Sequence, residues 1–283
     1  MKKVITSQLL ENYRLFLNEQ EKSKSTIQKY MSDLNKLTGY ADGRELTKML
    51  LIEYKDYLRN EKKYKTSSIN SYLVAANRFF DYMEWYDLKV KPFKVQKEVF
   101  VPEDRELSKE EYKKLLWTAA ACKKTKIGMV IQTICATGIR ISELSAITVP
   151  SIKRGVVFIY NKGKERQVLL SRDIQLKLLQ YIRKNGIKSG AVFQTISGKP
   201  LDRTYVWREM KKLCDSAGVN KSKVFPHNLR HLFARTFYNL YKDIAKLADI
   251  LGHSNIETTR IYIRESGVEY MKQLNSLKLV LKM

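Results

Sequence analysis

Val90-Lys91-Pro92-Phe93-Lys94-Val95, followed by Val101-Pro102-Glu103-Asp104, is the stretch on which the fold reading turns. It is extended, basic and carries two prolines, and proline disfavours helix at itself and one residue earlier. Helical patterns run up to it and resume beyond it. Residues 91–106 therefore read as a linker between a domain at 1–90 and a second at 107–283.

Working back from the linker, the apolar residues recur at helical spacing in four runs. Leu9, Leu10, Tyr13, Phe16 and Leu17 form the first. Ser25 is placed to cap the second, which carries Ile27, Tyr30, Met31, Leu34 and Leu37. After a turn between Gly39 and Gly43, Thr47 precedes Leu50, Leu51, Tyr54 and Leu58; the fourth run starts near Thr66 or Ser67 and holds Ile69, Leu73, Ala76, Phe79 and Phe80. Four short amphipathic helices make a bundle.

Forward of the linker, Ser108 and Glu111 fit a capping box, which opens a helix over 108–122. Another spans 126–137. Val156-Val157-Phe158-Ile159-Tyr160 and Arg166-Gln167-Val168-Leu169-Leu170, joined by Asn161-Lys162-Gly163-Lys164, read as a β-hairpin. Helices are expected over 172–184, 203–217, 227–240, 243–250, 256–263 and 267–278. The fold class is mainly α with a small β-hairpin.

Composition points to a partner. Lys and Arg number 53 against 29 Asp and Glu, a formal net charge of +24. Such an excess is self-repelling and makes physical sense beside a polyanion. The cations are interleaved with Tyr, Asn, Ser and Thr, which suits phosphate contacts, whereas a membrane surface would call for a concentrated basic amphipathic helix. With no apolar run of about 18 residues and no signal-like N-terminus, a cytoplasmic protein is expected. Cys122, Cys135 and Cys214 are scattered and odd in number, which fits core residues better than a disulfide framework.

All three histidines, His227, His231 and His253, fall in one late stretch beside Arg230 and ahead of Tyr262. His227 and His231 at i and i+4 could ligate zinc, but Asn228-Leu229-Arg230 between them lacks the glutamate of such sites and adds a fixed cation. Taken singly, each histidine also fits a buried structural role, the preferred reading for His231. Metal-free phosphoryl transfer fits the set better. Guanidinium forks bind non-bridging oxygens, each well-placed donor being worth about 3–4 kcal/mol in the transition state. A phenol with a reference pKa of about 10 needs cations nearby to become a nucleophile. Upstream, Ala136-Thr137-Gly138-Ile139-Arg140-Ile141-Ser142-Glu143-Leu144 breaks a helix at Gly138 and sets Arg140 and Glu143 one turn apart.

That segment, His227-Asn228-Leu229-Arg230-His231, and Leu251-Gly252-His253-Ser254-Asn255-Ile256-Glu257-Thr258-Thr259-Arg260-Ile261-Tyr262 together resemble, in order and spacing, the signature boxes of the tyrosine recombinase (phage integrase) family. The resemblance extends over nearly the whole chain and is similar to the short Xer-like integrases. It implies an N-terminal SAM-like core-binding domain and a C-terminal catalytic domain, closing as a clamp on duplex DNA. Arg140 and Arg230 would clamp the scissile phosphate, His227 would assist proton transfer, His253 would hydrogen-bond a phosphate oxygen, and Glu143 would support Arg140. Tyr262 would attack to give a 3′-phosphotyrosyl link and Lys162 would protonate the leaving oxygen. The hairpin turn departs from the family pattern by one residue, so Lys164 is the rival to Lys162, and Tyr270 is the rival nucleophile.

The resemblance implies no cofactor and no metal, double-stranded recombination sites as partner, and a homotetramer on DNA joined through the C-terminal helix. Arg78, Asn77, Lys65 and Arg208 are candidate base or phosphate contacts. Two other readings share the chemistry or the binding: a type IB topoisomerase, and a DNA-binding protein that no longer cuts.

Overall fold

The computed structural model describes residues 2–94, 105–161, 164–263, 271 and 274–277, and the chain divides into two compact units, Met1–Lys97 and Glu98–Met283.

In the first unit, α1 (Ser7–Glu19), α2 (Lys24–Ala41), α3 (Lys48–Asn60) and α4 (Thr66–Tyr82) follow the four runs of apolar residues. Thr6, Ser23 and Thr47 cap α1, α2 and α3 through their hydroxyls. Ser23 rather than Ser25 is the cap of α2, because the chain stays extended (ψ 145°) at Ser23 and turns helical at Lys24. Leu34, Leu37, Tyr54, Phe79 and Phe80 are buried in one core, the leucines and phenylalanines each contributing about 1.5–3 kcal/mol by leaving water.

The start of the expected linker lies along α4. Asn77 donates to Val90 O and accepts from Val90 N, and Asn70 does the same with Phe93, at 2.8–3.1 Å. Lys55 and Arg59 cover the Phe93 ring. Asn77 is thus a strap for the chain leaving α4. That corrects its reading as a candidate base contact, since its amide is spent on the backbone.

In the second unit α5 (Lys109–Ala121) opens with the capping box of Ser108 and Glu111. Then come α6 (Thr125–Thr137), a 3₁₀ turn at Ile141–Ala146 and α7 (Val149–Arg154). The short α7 is an addition to the sequence reading; it is marked by Thr148 as cap and Pro150 in its first turn. Strands β1 (Val156–Asn161) and β2 (Lys164–Leu169) pair antiparallel, with Ile159 opposite Arg166. Next are α8 (Arg172–Lys184), α9 (Arg203–Ala217), α10 (Pro226–Tyr241), α11 (Ile244–Leu251) and α12 (Ile256–Arg260), and Ile261–Ile263 forms a 3₁₀ turn. Ile131 and Ile134 of α6, Val157 of β1, Leu178 of α8, Met210 of α9 and Leu229 of α10 share the main core. No helix among the described residues is long and apolar enough to cross a membrane.

Candidate active site

The site begins where α6 ends. Gly138 takes a left-handed conformation (φ 64°), and a Cβ there would stand 2.6 Å from the Phe233 ring, so the chain can turn only on glycine at this point. Arg140 follows, and Glu143 folds back on it. Glu143 Oε2 accepts from Arg140 N at 2.8 Å and Oε1 from Arg140 Nη1 at 3.0 Å. The three-residue spacing read from the sequence is realised on a 3₁₀ turn rather than on an α-helix.

Helix α10 brings His227, Arg230 and His231 to the same place. Arg230 is 1% exposed. Its Nη1 donates to Gly138 O at 2.5 Å and its Nη2 to Leu251 O at 2.7 Å, and Nη2 lies 2.9 Å from His253 Nε2. No carboxylate among the described residues pairs with it, and its buried Nε has no hydrogen-bond partner. Burial first, and then Arg140, push its pKa down to about 10. Arg230 nevertheless remains a cation at neutral pH.

These contacts fix the tautomer of His253. A guanidinium only donates, so Nε2 must accept, and Nδ1 carries the proton it shares with Thr259 Oγ1 at 2.9 Å. Burial and the charges of Arg230, Arg140 and Arg166 push His253 down to about 4, the neutral state. Donation from His253 to a phosphate oxygen would require Nε2 to leave Arg230 and take a proton.

Tyr262 lies at the centre, 6% exposed. Its ring stacks on His231 at 4.3 Å, with the His227 and His253 rings at 5.1 Å and the Arg230 guanidinium carbon 5.7 Å from its centroid. On its remaining sides Tyr262 shares a small apolar cluster with Ala234, Leu247 and Leu251. Burial lowers the pKa of both His227 and His231, His231 to about 4, so neutral imidazoles able to accept a proton face the phenol ring.

The structure thus brings Arg140, Glu143, His227, Arg230, His253 and Tyr262 together. Lys162 and Tyr270 lie outside the described residues, as does the side chain of Lys164. Two contributors were not singled out from the sequence: Thr259 holds His253, and Arg166 reaches Glu143 Oε2 at 2.5 Å. His231, expected to be a buried structural residue, is the stacking partner of Tyr262. The sequence signal for Arg166 is weak: it is one more cation in a hairpin that also carries Lys162 and Lys164. A cavity of about 520 Å³ opens among Arg140, Glu143, Arg166 and His253. A larger apolar groove of about 810 Å³ contains none of these residues. Among the described residues, no group of three or more His, Cys, Asp and Glu side chains could hold a metal ion.

Known proteins share this architecture. The phage integrase family model matches residues 105–267, and that of the phage integrase N-terminal SAM-like domain matches residues 10–86. The tyrosine recombinase XerD of Haemophilus influenzae is 29% identical over 283 residues, covering 92% of this chain and 95% of the relative. The tyrosine recombinase XerH of Campylobacter jejuni is 32% identical over 219 residues, covering 69% and 61%. Among solved structures, XerH bound to a palindromic difH substrate in a post-cleavage complex superposes with a TM-score of 0.75 at 20% identity, over 95% of this chain and 84% of that one. A lambda integrase dimer bound to a COC′ core site gives 0.75 at 16% identity, over 94% and 79%. These two structures share its fold; with the matched family model spanning more than half its length, the chain belongs to the phage integrase family of tyrosine recombinases.

Proposed function

We propose that this chain is a site-specific recombinase that cuts and rejoins duplex DNA through a 3′-phosphotyrosyl intermediate at Tyr262. The observation that carries the reading is Arg230: a buried guanidinium that pairs with no carboxylate among the described residues, held by two backbone carbonyls against the ring of Tyr262. A buried, uncompensated cation costs stability unless something anionic completes it. A phosphodiester does so, and Arg140 supplies a second fork from the adjacent turn.

In this mechanism Arg140 and Arg230 bind the non-bridging oxygens and strengthen their hold as charge develops on them. The Tyr262 oxygen attacks phosphorus while its proton passes to neutral His227. The bond from phosphorus to the 5′ oxygen breaks, and that oxygen takes a proton from Lys162 or Lys164. The phosphotyrosyl ester keeps the bond energy of the phosphodiester, so a 5′-hydroxyl from another strand can reverse the steps without nucleotide or metal. His253, turned from Arg230 to phosphate, would complete the oxygen contacts. Glu143 holds Arg140 in place for the clamp.

The partner is double-stranded DNA, bound in the cytoplasm by residues 1–90 and 107–283 acting together through the linker between them. Four subunits would pair two sites, exchanging C-terminal helices. Trapping covalent adducts on genomic DNA and sequencing both the linked peptide and the attached ends is the test. Adducts at one recurrent sequence through Tyr262, abolished in Tyr262→Phe and persisting in chelator, are expected. Adducts through Tyr270, or relaxation of arbitrary plasmid without paired-site exchange, would reject the assignment. Truncation at Ser266 should spare binding and impair exchange.

A further inference from the structure

Arg166 touches no reacting atom, yet its guanidinium bridges the two halves of the phosphate pocket. It projects from β2, 13% exposed, and spends its fork in two directions. Nη2 donates to Glu143 Oε2 at 2.5 Å, on the side of Arg140. Nη1 donates to Ile250 O at 2.7 Å, on the side of His253. Its aliphatic stem lies so close over Gly252 that a Cβ there would overlap it, and Gly252 is left-handed (φ 65°).

The last carbonyls of a helix have no partner within it. At the end of α11, Arg166 takes the carbonyl of Ile250 and Arg230 takes that of Leu251. The Gly252–His253 turn is therefore pinned by guanidiniums arriving from β2 and from α10. At the other end Arg166 shares Glu143 with Arg140, so the carboxylate cannot follow the Arg140 side chain away from the hairpin. Only a planar fork reaches both acceptors; a lysine at 166 could satisfy one of them.

A purely stabilising salt bridge is a poor account of this arrangement. Burial lowers the pKa of Arg166 against the opposing pull of Glu143, so the position costs desolvation, and buried pairs often return little net stability. We infer that Arg166 is a positioning residue that locks Glu143 with Arg140 and the Gly252–His253 turn into one frame, so that the pocket assembles only while the hairpin is docked. The inference rests on the reading of Arg140 and His253 as phosphate ligands.

The test compares Arg166→Met and Arg166→Lys in the full chain by two readouts. The first needs no DNA: the three histidines give three imidazole titrations by NMR. His253 faces Arg230, Arg140, Arg166, His227 and Thr259, whereas the charges lowering His231 are His227 and Arg230. Arg166→Met should raise the His253 titration and leave that of His231 in place, and Arg166→Lys should move His253 less. The second is single-turnover adduct formation on a nicked duplex carrying the mapped site. Arg166→Met should slow it about 100-fold, equivalent to about 2.7 kcal/mol, at unchanged DNA affinity, with partial rescue in Arg166→Lys. An unshifted His253, or wild-type cleavage by folded Arg166→Met, overturns the inference. Should the wild-type chain form no adduct at all, the recombinase reading fails while the His253 titration still decides the placement of Arg166.

Discussion

Replacing Glu143 by Gln separates what the carboxylate does for the fold from what it does for the pocket. Three donors converge on its two oxygens: Arg140 N and Arg166 Nη2 on Oε2, and Arg140 Nη1 on Oε1. A glutamine amide has one oxygen. Placing it at the Oε2 position keeps two of the three bonds and turns an NH₂ toward Arg140 Nη1, donor against donor. The alternative placement loses two bonds, so the first is favoured, and the Arg140 guanidinium is the group set free. Breaking a buried pair from one side costs about 3–5 kcal/mol. The Arg140 side chain is 33% exposed, which puts the cost near the lower end, at about 3 kcal/mol. For a unit of this size that is a fall in Tm of roughly 6–12 °C. A misplaced donor at the reacting phosphate costs about 100- to 1,000-fold in rate, so cleavage should fall far more than the folded fraction at 25 °C. The pH dependence carries a signature. Burial pushes the Glu143 pKa up, but the Arg140 N–H and the Arg166 and Arg140 cations outweigh it and hold it below its ordinary 4.5. Its stabilisation is therefore present above about pH 4.5 and lost as pH falls through the lower folded value. The Tm gap between wild type and Glu143→Gln should close in acid. Scanning calorimetry with single-turnover cleavage decides the matter; wild-type rate and a gap of about 1 °C would refute the argument.

Gly138→Ala should lower Tm, because it forces a Cβ to 2.6 Å from Phe233 at positive φ; overpacking and strain of about 2–4 kcal/mol are expected, and a variant as stable as wild type in urea melts would contradict it. His231→Ala should leave DNA affinity alone and slow adduct formation about tenfold, since it removes a stacking platform worth about 0.5–1.5 kcal/mol from under Tyr262; His231→Phe should recover most of the loss. In acid, His231 contributes its own penalty. Its folded pKa is lowered from 6.5 to about 4, so the unfolded chain binds more protons between those values and stability falls as pH drops from about 6.5 to about 4. His231→Phe should flatten that part of the Tm–pH curve, and an unchanged slope would count against it.

The helices were legible because their apolar residues repeat at 3.6 and their caps are short polar side chains. Thr47 and Ser108 stand where the periodic runs begin. The hairpin was legible from β-branched runs around a Gly-containing turn. What sequence spacing does not carry is partnership across distance. Asn77 sits on a helix among residues suited to DNA, yet its amide is taken by Val90 thirteen positions on. Arg166 meets a carbonyl eighty-four residues away, and no local pattern announces a side chain whose acceptor is backbone. His231 reads as a buried structural histidine until Tyr262 is seen against it. Among the candidate site residues, Arg140, His227, Arg230, His253 and Tyr262 are proposed through the order of three short motifs. Their convergence depends on Gly138 and Gly252, whose left-handed turns stop α6 and α11 where Arg230 can reach both ends.

That convergence crowds like charges. Among the described residues, Arg140, Arg166 and Arg230 meet a single directly bonded carboxylate, Glu143; Glu165 and Asp249 also line the cavity but are exposed. Carbonyl partners orient a guanidinium without cancelling its charge, so the charges of Arg140 and Arg166 lower the pKa of Arg230 further than burial alone. An anion placed between Arg140 and Arg230 relieves that repulsion, and binding only the folded state it must stabilise the second unit. At 100 times its Kd the gain is about 2.7 kcal/mol, or roughly 5–11 °C in Tm for a unit of this size. Inorganic phosphate titrated at constant ionic strength should therefore raise Tm along a saturating curve, and Arg230→Met should reduce the response to the shallow, unsaturating drift that excluded salts give any protein. Equal responses in the two chains, or a wild-type curve matched by chloride, would mean these guanidiniums are not organised to receive phosphate, and the phosphate clamp would have to be sought elsewhere on the chain.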